Sequence, residues 1–190
     1  MTKNRLEAFS DGVIAILITI MVLELRIPEG GDWTALRTIF PVLITYVLSY
    51  IFLGIYWTNH HHLLHTIDRI SGGILWANLH LLFWLSLTPF ATGWMGRNHF
   101  DPLPTAIYGV VLLCSAIAYT ILVRTIIATQ GPNSRLKAAI GSDSKGNLSM
   151  LGYLVAIPIS FVDRWVAFFL YVAVAAMWLV PDRRIEKRVE

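Results

Sequence analysis

Residues 5–24 read RLEAFSDGVIAILITIMVLE, an apolar segment with charged residues close to both of its ends. Only 12 uncharged residues lie between Asp11 and Glu24, whereas a helix that faces lipid over its full length needs about 20 apolar residues. Ionisable residues within a membrane span usually face the interior of a helix bundle or water. We therefore expect this first helix to face protein and water and not lipid.

One face of this helix carries aliphatic side chains at helical spacing. Ile16, Ile20 and Leu23 lie at i, i+4 and i+7, with Thr19 beside them. If several copies of the chain met around an axis, this face would form a hydrophobic constriction of the kind that closes a channel by excluding water. The same stripe also fits plain packing against a neighbouring helix, so the pattern alone leaves both interpretations open.

Composition indicates the class of protein. Of the 190 residues, 56% are hydrophobic and 14% are charged, and the mean hydropathy is +0.61, outside the range of soluble globular domains. The apolar residues form long runs and not the alternating segments of an outer-membrane barrel. We predict an all-α, polytopic protein of the lipid bilayer. No cleavable signal peptide is expected, and the scattered basic residues predict no nucleic-acid partner.

Six apolar segments predict six transmembrane helices in a single domain that covers residues 1–190. The approximate spans are 6–27, 35–65, 70–96, 103–128, 148–162 and 164–181. The fourth span is the plainest candidate for a helix that faces lipid. The polar stretch after it is expected to contain a short interfacial helix at 134–140. The connection Asp163-Arg164 between the last two apolar segments is very short, which predicts an antiparallel helical hairpin.

The distribution of Lys and Arg predicts the orientation of these helices. An even number of spans places both termini on one side of the membrane. That side carries 11 basic residues: Lys3, Arg5, Arg69, Arg124, Arg135, Lys137, Lys145, Arg183, Arg184, Lys187 and Arg188. The other side carries only Arg26, Arg37, Arg97 and Arg164. Because cytoplasmic loops are enriched in positive residues, we predict cytoplasmic termini in a multi-pass protein of the cell (inner) membrane.

A histidine cluster near the end of the second span raises the question of a metal. His61 and His65 at i, i+4 have the spacing of a shared Zn²⁺ site. No carboxylate-rich motif accompanies them, however, and the chain holds only six histidines. Histidines that hydrogen-bond across helices are the favoured interpretation, and no metal or cofactor is expected. Since nucleophile elbows, phosphate-binding glycine loops and His-Glu-x-x-His motifs are also absent from the sequence, we do not expect an enzyme.

Polar residues at membrane depth need partners on other helices. Trp57, His60 and Asn78 are therefore expected to bond the second and third helices to Arg5, Ser10 or Asp11 in the first.

The same polar residues carry a family resemblance. The pattern Arg-x-x-x-Phe-Ser-Asp, followed directly by a short apolar helix, resembles the signature of the transmembrane protein 175 family, the endolysosomal potassium channels and their prokaryotic relatives. The matching residues are Arg5, Phe9, Ser10 and Asp11 in helix 1, Trp57 and His60 in helix 2, and Asn78, Pro89 and Phe90 in helix 3. Helices 4 to 6 carry no motif that can be matched residue by residue.

The resemblance implies a six-helix subunit that assembles as a homotetramer, with helix 1 of each subunit lining a central pore. Ile16 matches the family's isoleucine five residues after the motif aspartate, Thr19 matches a pore threonine, and Ile20 and Leu23 match further apolar pore positions. The motif residues would hold helix 1 and the subunits together. The expected function is a potassium-permeable cation channel that conducts K⁺ and other monovalent cations passively.

Three alternatives stay open: a proton-permeable channel, a secondary cation transporter and a histidine-based membrane metalloprotein. A transporter predicts inverted repeats with broken helices near the midplane of the bilayer. The first half of this chain carries the polar motifs and the second half does not, so the sequence gives no sign of such a repeat.

Overall fold

The computed structural model describes residues 2–67, 69–131, 136 and 143–179, and the regular elements in these residues are α-helices. They are α1 (Lys3–Val22), α2 (Trp33–His65), α3 (Gly72–Ser86), α4 (Thr88–Arg97), α5 (Pro102–Gln130), α6 (Ser144–Ile159) and α7 (Arg164–Leu179). The prediction of an all-α fold is confirmed for this part of the chain. The expected interfacial helix at 134–140, apart from Leu136, and the charged tail lie outside the described residues.

The third predicted span consists of two helices in close succession. Leu87 ends α3 and precedes α4 with a right-handed helical conformation (φ −84°, ψ −9°), so that Gly72–Arg97 forms one helical stretch of 26 residues. The break lies next to Pro89, which has no N–H to donate to the carbonyl four residues earlier. The polypeptide then reverses through His99 and Phe100, both with positive φ, and enters α5 at Pro102.

Three capping side chains and one glycine set four of the other helix boundaries. Asp32, Ser71 and Asp143 precede α2, α3 and α6, and each accepts a hydrogen bond from the backbone N–H three residues later, at 2.9, 3.3 and 3.0 Å. Gly131 ends α5 with a φ of 87°, a conformation that glycine adopts without strain. The sequence therefore places a suitable residue at each of these ends.

Three helical stretches in the described chain are long and apolar enough to cross a membrane: Trp33–His65, Gly72–Arg97 and Pro102–Gln130. The apolar helix α7 is shorter, at 16 residues. Helix α1 has 20 residues but carries Lys3, Arg5, Glu7 and Asp11 in its first half, and is not among the three. Helix α1 therefore differs from the three long apolar stretches, as its charged residues predicted.

The helices pack around two apolar cores. The first core joins α1 to α2, α3 and α5, and the second joins α2 and α4 to α5, α6 and α7. Helix α5, the fourth predicted span, contributes to both cores, and half of its most apolar segment is buried against other helices. That its uncovered half faces lipid stays a prediction. Apolar side chains suit lipid and protein equally, so composition could not distinguish the two environments.

Gly109 of α5 leaves room for the Tyr171 side chain of α7, which donates to the Thr105 carbonyl oxygen at 3.2 Å.

Candidate functional site

Helix α1 has one covered face and one uncovered face. Its covered face packs against α2, α3 and α4 and consists of Leu6, Ser10, Ile14, Leu17 and Met21, each at most 7% exposed. The uncovered face contains all four of the candidate pore residues: Ile16 (56% exposed), Ile20 (44%), Leu23 (75%) and Thr19. A single subunit therefore leaves this aliphatic stripe without a packing partner.

The uncovered stripe continues toward the N-terminus of α1. Ala8, Gly12 and Ala15 are also exposed and lie on the same side of the helix as Ile16, at spacings of three or four residues. Small residues on one helix face allow a close approach of a second helix in a membrane. The N-terminal half of the uncovered face therefore combines these small residues with Arg5 and Phe9, and its C-terminal half carries the branched aliphatic side chains.

The hydroxyl of Thr19 is held in a defined orientation. Its Oγ1 donates a hydrogen bond to the carbonyl oxygen of Ile16 at 2.9 Å. Because the hydroxyl hydrogen points along the helix, the lone pairs of Oγ1 are left for a donor or a cation on the uncovered face. Thr19 is thus the one candidate pore residue that offers a side-chain oxygen among its aliphatic neighbours.

A buried chain of hydrogen bonds joins α1, α2 and α3. Asn78 Nδ2 donates to Ser10 Oγ at 3.0 Å, and Asn78 Oδ1 lies 2.7 Å from His60 Nε2. The amide oxygen can only accept, so His60 Nε2 carries the proton in this arrangement. All three side chains are at most 1% exposed. Since each would be left unsatisfied without the others, the three residues fix the register of three helices.

A second contact joins α1 to α2 nearer the surface of the bundle. Trp57 Nε1 donates to Asp11 Oδ1 at 3.0 Å, and the Trp57 side chain is 45% exposed. Of the three predicted partners, Trp57 and Asn78 thus contact the helix 1 motif directly, and His60 reaches it through Asn78.

Arg5 and Phe9 are not part of these contacts. Phe9 is 48% exposed, and Arg5 is exposed with no hydrogen bond or ion pair to any residue that the structure describes. Both residues lie on the uncovered face of α1, as Ile16 does. Within one subunit, the family motif is therefore divided into an inward pair, Ser10 and Asp11, and an outward pair, Arg5 and Phe9.

Sequence reasoning missed the contact at the other end of α1. Glu24 Oε2 and Arg97 Nη2 form an ion pair at 2.5 Å, which joins the segment after α1 to the end of α4. A side chain at Gly93 would occupy the position of the Glu24 carboxylate, because an added Cβ would lie 2.6 Å from Glu24 Oε2. The sequence did contain one indication of this ion pair: Glu24 and Arg97 lie at the ends of apolar segments that were predicted to end on the same side of the membrane.

Comparison with known proteins identifies the family. The sequence profile of the family described as endosomal/lysosomal potassium channel TMEM175 matches residues 5–89, which include the motif residues of α1, α2 and α3. A protein from Chryseobacterium sp. (strain P1-3), named a potassium channel, is 55% identical over all of this chain and 99% of its own length. A potassium channel of Streptomyces collinus is 30% identical over 85% of this chain and 84% of its own length.

The fold is similar to that of a solved protein. The crystal structure of a lysosomal potassium-selective channel TMEM175 homolog from Chamaesiphon minutus superposes with a TM-score of 0.82. The alignment covers 94% of this chain and 96% of that one, at 24% identity, and supports the fold only. The long apolar helices and these relatives identify a multi-pass membrane protein. Because the family consists of ion channels, the prediction that this protein is not an enzyme is confirmed. This chain belongs to the TMEM175 family of ion channels.

Proposed function

We propose that this protein is a potassium-permeable cation channel in which four copies of the chain surround a pore lined by α1. The observation that carries the proposal is the uncovered stripe of Ile16, Thr19, Ile20 and Leu23 on a helix whose opposite face is fully packed. The names of the relatives at 55% and 30% identity support K⁺ as the permeant ion. The number of four subunits is the one that the family resemblance implies.

A location in the centre of an assembly suits α1 better than a location facing lipid. Between Asp11 and Glu24 the helix rises about 20 Å, less than the roughly 30 Å of the hydrocarbon core. A lipid-facing stripe would place charged residues at both ends inside the apolar layer, at a cost of several kcal/mol. Around a central axis the same residues face water or another subunit. The 85-residue match to the family profile begins at Arg5 of this helix.

The aliphatic side chains supply the proposed constriction. Four copies of a bulky residue around one axis leave a gap about as wide as a side chain, and aliphatic rings give an ion no oxygen ligands to replace its water. A closed ring therefore blocks K⁺ because the ion would have to enter without its hydration shell. Conduction requires the ring of four α1 helices to widen or rotate until the ion passes with its hydration shell. The ring of Thr19 hydroxyls is the source of oxygen ligands for discrimination between K⁺ and Na⁺.

The motif residues have a positioning role in this proposal. Ser10, with Asn78 and His60, and Asp11, with Trp57, hold α1 against α2 and α3. Arg5 and Phe9, which have no such role within the subunit, would contact neighbouring subunits. None of these residues is proposed to bind the permeating ion.

The proposed setting is one six-helix membrane domain over residues 1–190, with both termini in the cytoplasm. The stretch Gly72–Arg97 counts as one of the six spans, since α3 and α4 are nearly continuous. The end of the bundle where α1 starts also holds the end of α2, because Lys3 Nζ donates to the His65 carbonyl oxygen at 3.0 Å. This is the end to which the excess of Lys and Arg assigns the cytoplasm.

Flux measurements on reconstituted protein test the proposal. The purified full-length chain is placed in liposomes, and K⁺, Na⁺ and H⁺ fluxes are compared with those of protein-free liposomes, after light scattering has given the mass of the assembly. We expect a tetramer with K⁺ flux above Na⁺ flux down their gradients. H⁺ flux without K⁺ flux would favour the proton-channel alternative, and K⁺ movement only when a second ion is supplied would indicate a transporter.

A further inference from the structure

We propose that Glu7, His61 and His65 form a binding site for a divalent transition metal such as Zn²⁺, at the end of the bundle where α1 begins and α2 ends. The three residues offer one carboxylate oxygen and two imidazole nitrogens, and these ligand atoms all lie within 4.8 Å of one another. This donor set is one that Zn²⁺ prefers, with two histidines and one acid in the manner of open three-ligand sites. The site does not rest on the proposed channel function.

The two histidines are arranged to share an ion. They are one helical turn apart on α2, and their ring centroids are separated by 4.4 Å. Donors in a tetrahedral Zn²⁺ site, at about 2.0–2.2 Å from the metal, are about 3.3–3.5 Å apart. His65 Nε2 and Glu7 Oε1, at 3.8 Å, already approach that spacing. Changes in side-chain torsions alone can therefore bring the three donors to the metal, while water completes the fourth position.

Glu7 presents an oxygen that the described residues leave without a donor. Its Oε1 is buried and accepts no hydrogen bond within the described residues. The distance of 3.8 Å to His65 Nε2 is too long for a hydrogen bond. An ionised oxygen in this position costs free energy unless a cation or donor satisfies it. A bound metal ion would remove that cost.

Several other polar groups at this end have partners of their own, whereas Arg5 is exposed and has none among the described residues. The Lys3 ammonium donates to the backbone carbonyl oxygen of His65, and Asp11 accepts from Trp57. The Trp57 ring stacks beside His61, with 6.1 Å between centroids, and restricts that imidazole. His60 bonds Asn78 in the buried network and is therefore not a ligand. None of these contacts uses the ligand atoms of Glu7, His61 and His65.

The sequence alone did not reveal the third ligand. The spacing of His61 and His65 suggested a metal, but no acidic residue lies near them along α2. The carboxylate comes from α1, 54 residues before His61, and only the packing of α1 against α2 brings it into the cluster.

Calorimetric titration of the full-length protein, purified with a tag free of histidine, tests the site. With Zn²⁺ as the probe, we expect one ion per subunit. Glu7→Gln and His65→Gln should each weaken binding at least about tenfold, because even loss of a residue that only supports a ligand costs about 10- to 100-fold. His62→Gln is the matched control: its imidazole is an exposed neighbour on the same helix and lies outside the cluster.

The outcomes separate a metal site from a simple ion pair. Co²⁺ in place of Zn²⁺ should give visible absorption bands of a four-coordinate ion, which disappear in His65→Gln. If Glu7→Gln does not yield folded protein, His61→Gln carries the same test. Absence of Zn²⁺ binding by the wild type, or equal binding by all of the variants, would overturn the proposal and leave only a pairing of Glu7 with His65.

Discussion

The Glu24 carboxylate and the Arg97 guanidinium form an ion pair at 2.5 Å, which joins the C-terminal end of α1 to the end of α4. At the N-terminal end of α1, Lys3 Nζ donates to the His65 carbonyl oxygen, and near the middle Asn78 donates to Ser10 and Trp57 donates to Asp11. The helix that carries the aliphatic stripe is therefore held to its neighbours at both ends. The contacts that position its uncovered face lie on other sides of the helix or just beyond its C-terminal end.

Asn78→Ala should destabilise the subunit. The substitution leaves the buried Ser10 and His60 side chains without the amide that bonds both, and each such bond in a membrane protein is worth on the order of 1 kcal/mol. We expect the unfolding temperature of detergent-solubilised protein to fall by several degrees, at about 2–4 °C per kcal/mol. Ser115→Ala is the control, since Ser115 Oγ is buried with no hydrogen-bond partner among the described residues and its removal should cost little. Equal unfolding temperatures for wild type and Asn78→Ala would contradict the role of the network.

Reversal of the two charges tests the contact between Glu24 and Arg97. Because both side chains are partly exposed, the pair contributes about 0–1 kcal/mol to stability. Glu24→Arg should lower the unfolding temperature slightly more than simple loss of the pair would, because it places two cations together. Arg97→Glu should act in the same way, and the double variant should recover most of the loss. The same thermal measurement gives all four values. A double variant less stable than either single variant would argue against a direct interaction.

Arg5→Ala should impair assembly more than folding of the subunit. The guanidinium is exposed and unpaired within the described part of one chain, which leaves a neighbouring subunit as its partner in the proposed tetramer. Light scattering after size-exclusion chromatography should show smaller species for Arg5→Ala. Arg37→Ala, which changes an exposed arginine of α2, should remain a tetramer. The positioning role would be wrong if Arg5→Ala assembled normally and changed the ratio of K⁺ to Na⁺ flux instead.

Thr19 provides a test of ion discrimination. Thr19→Val keeps the size and the branching of the side chain but removes the oxygen whose lone pairs face the uncovered side of α1. The ratio of K⁺ to Na⁺ flux should fall toward one, while Thr19→Ser, which keeps the hydroxyl, should retain it. Flux in liposomes under matched gradients measures the ratio. A ratio that is the same in wild type, Thr19→Val and Thr19→Ser would exclude the hydroxyl as a ligand.

Much of the structural framework was predictable because it follows from local chemistry. Twelve uncharged residues between Asp11 and Glu24 are too few for a lipid-facing helix, and α1 indeed differs from the three stretches that can span a membrane. Polar side chains at membrane depth need partners, so contacts of Trp57 and Asn78 with the motif of α1 were predictable as a group. The individual pairs, such as Asn78 with Ser10, depend on helix rotation and were not.

The features that sequence reasoning missed depend on distance in space and not along the chain. Glu24 and Arg97 are 73 positions apart, and Glu7 meets His65 only because α1 and α2 pack side by side. The contacts of α5 with α3 and α6 were not predictable for the same reason, since its apolar side chains carry no sign of whether lipid or protein will cover them. Composition predicts that such a segment is removed from water, and helix packing determines whether lipid or protein covers it.

The measurement that tests the central claim most directly is K⁺ and Na⁺ flux through Ile16→Asn tetramers in liposomes. An amide at the constriction offers oxygen ligands and retains water, so the account predicts a larger flux than wild type and weaker discrimination between the two ions. Cys114→Ser, on α5 and outside the core that α5 shares with α1, should leave both quantities unchanged. If folded Ile16→Asn, Ile20→Asn and Leu23→Asn tetramers all kept wild-type flux and selectivity, α1 would not line the pore and its aliphatic stripe would be a packing surface.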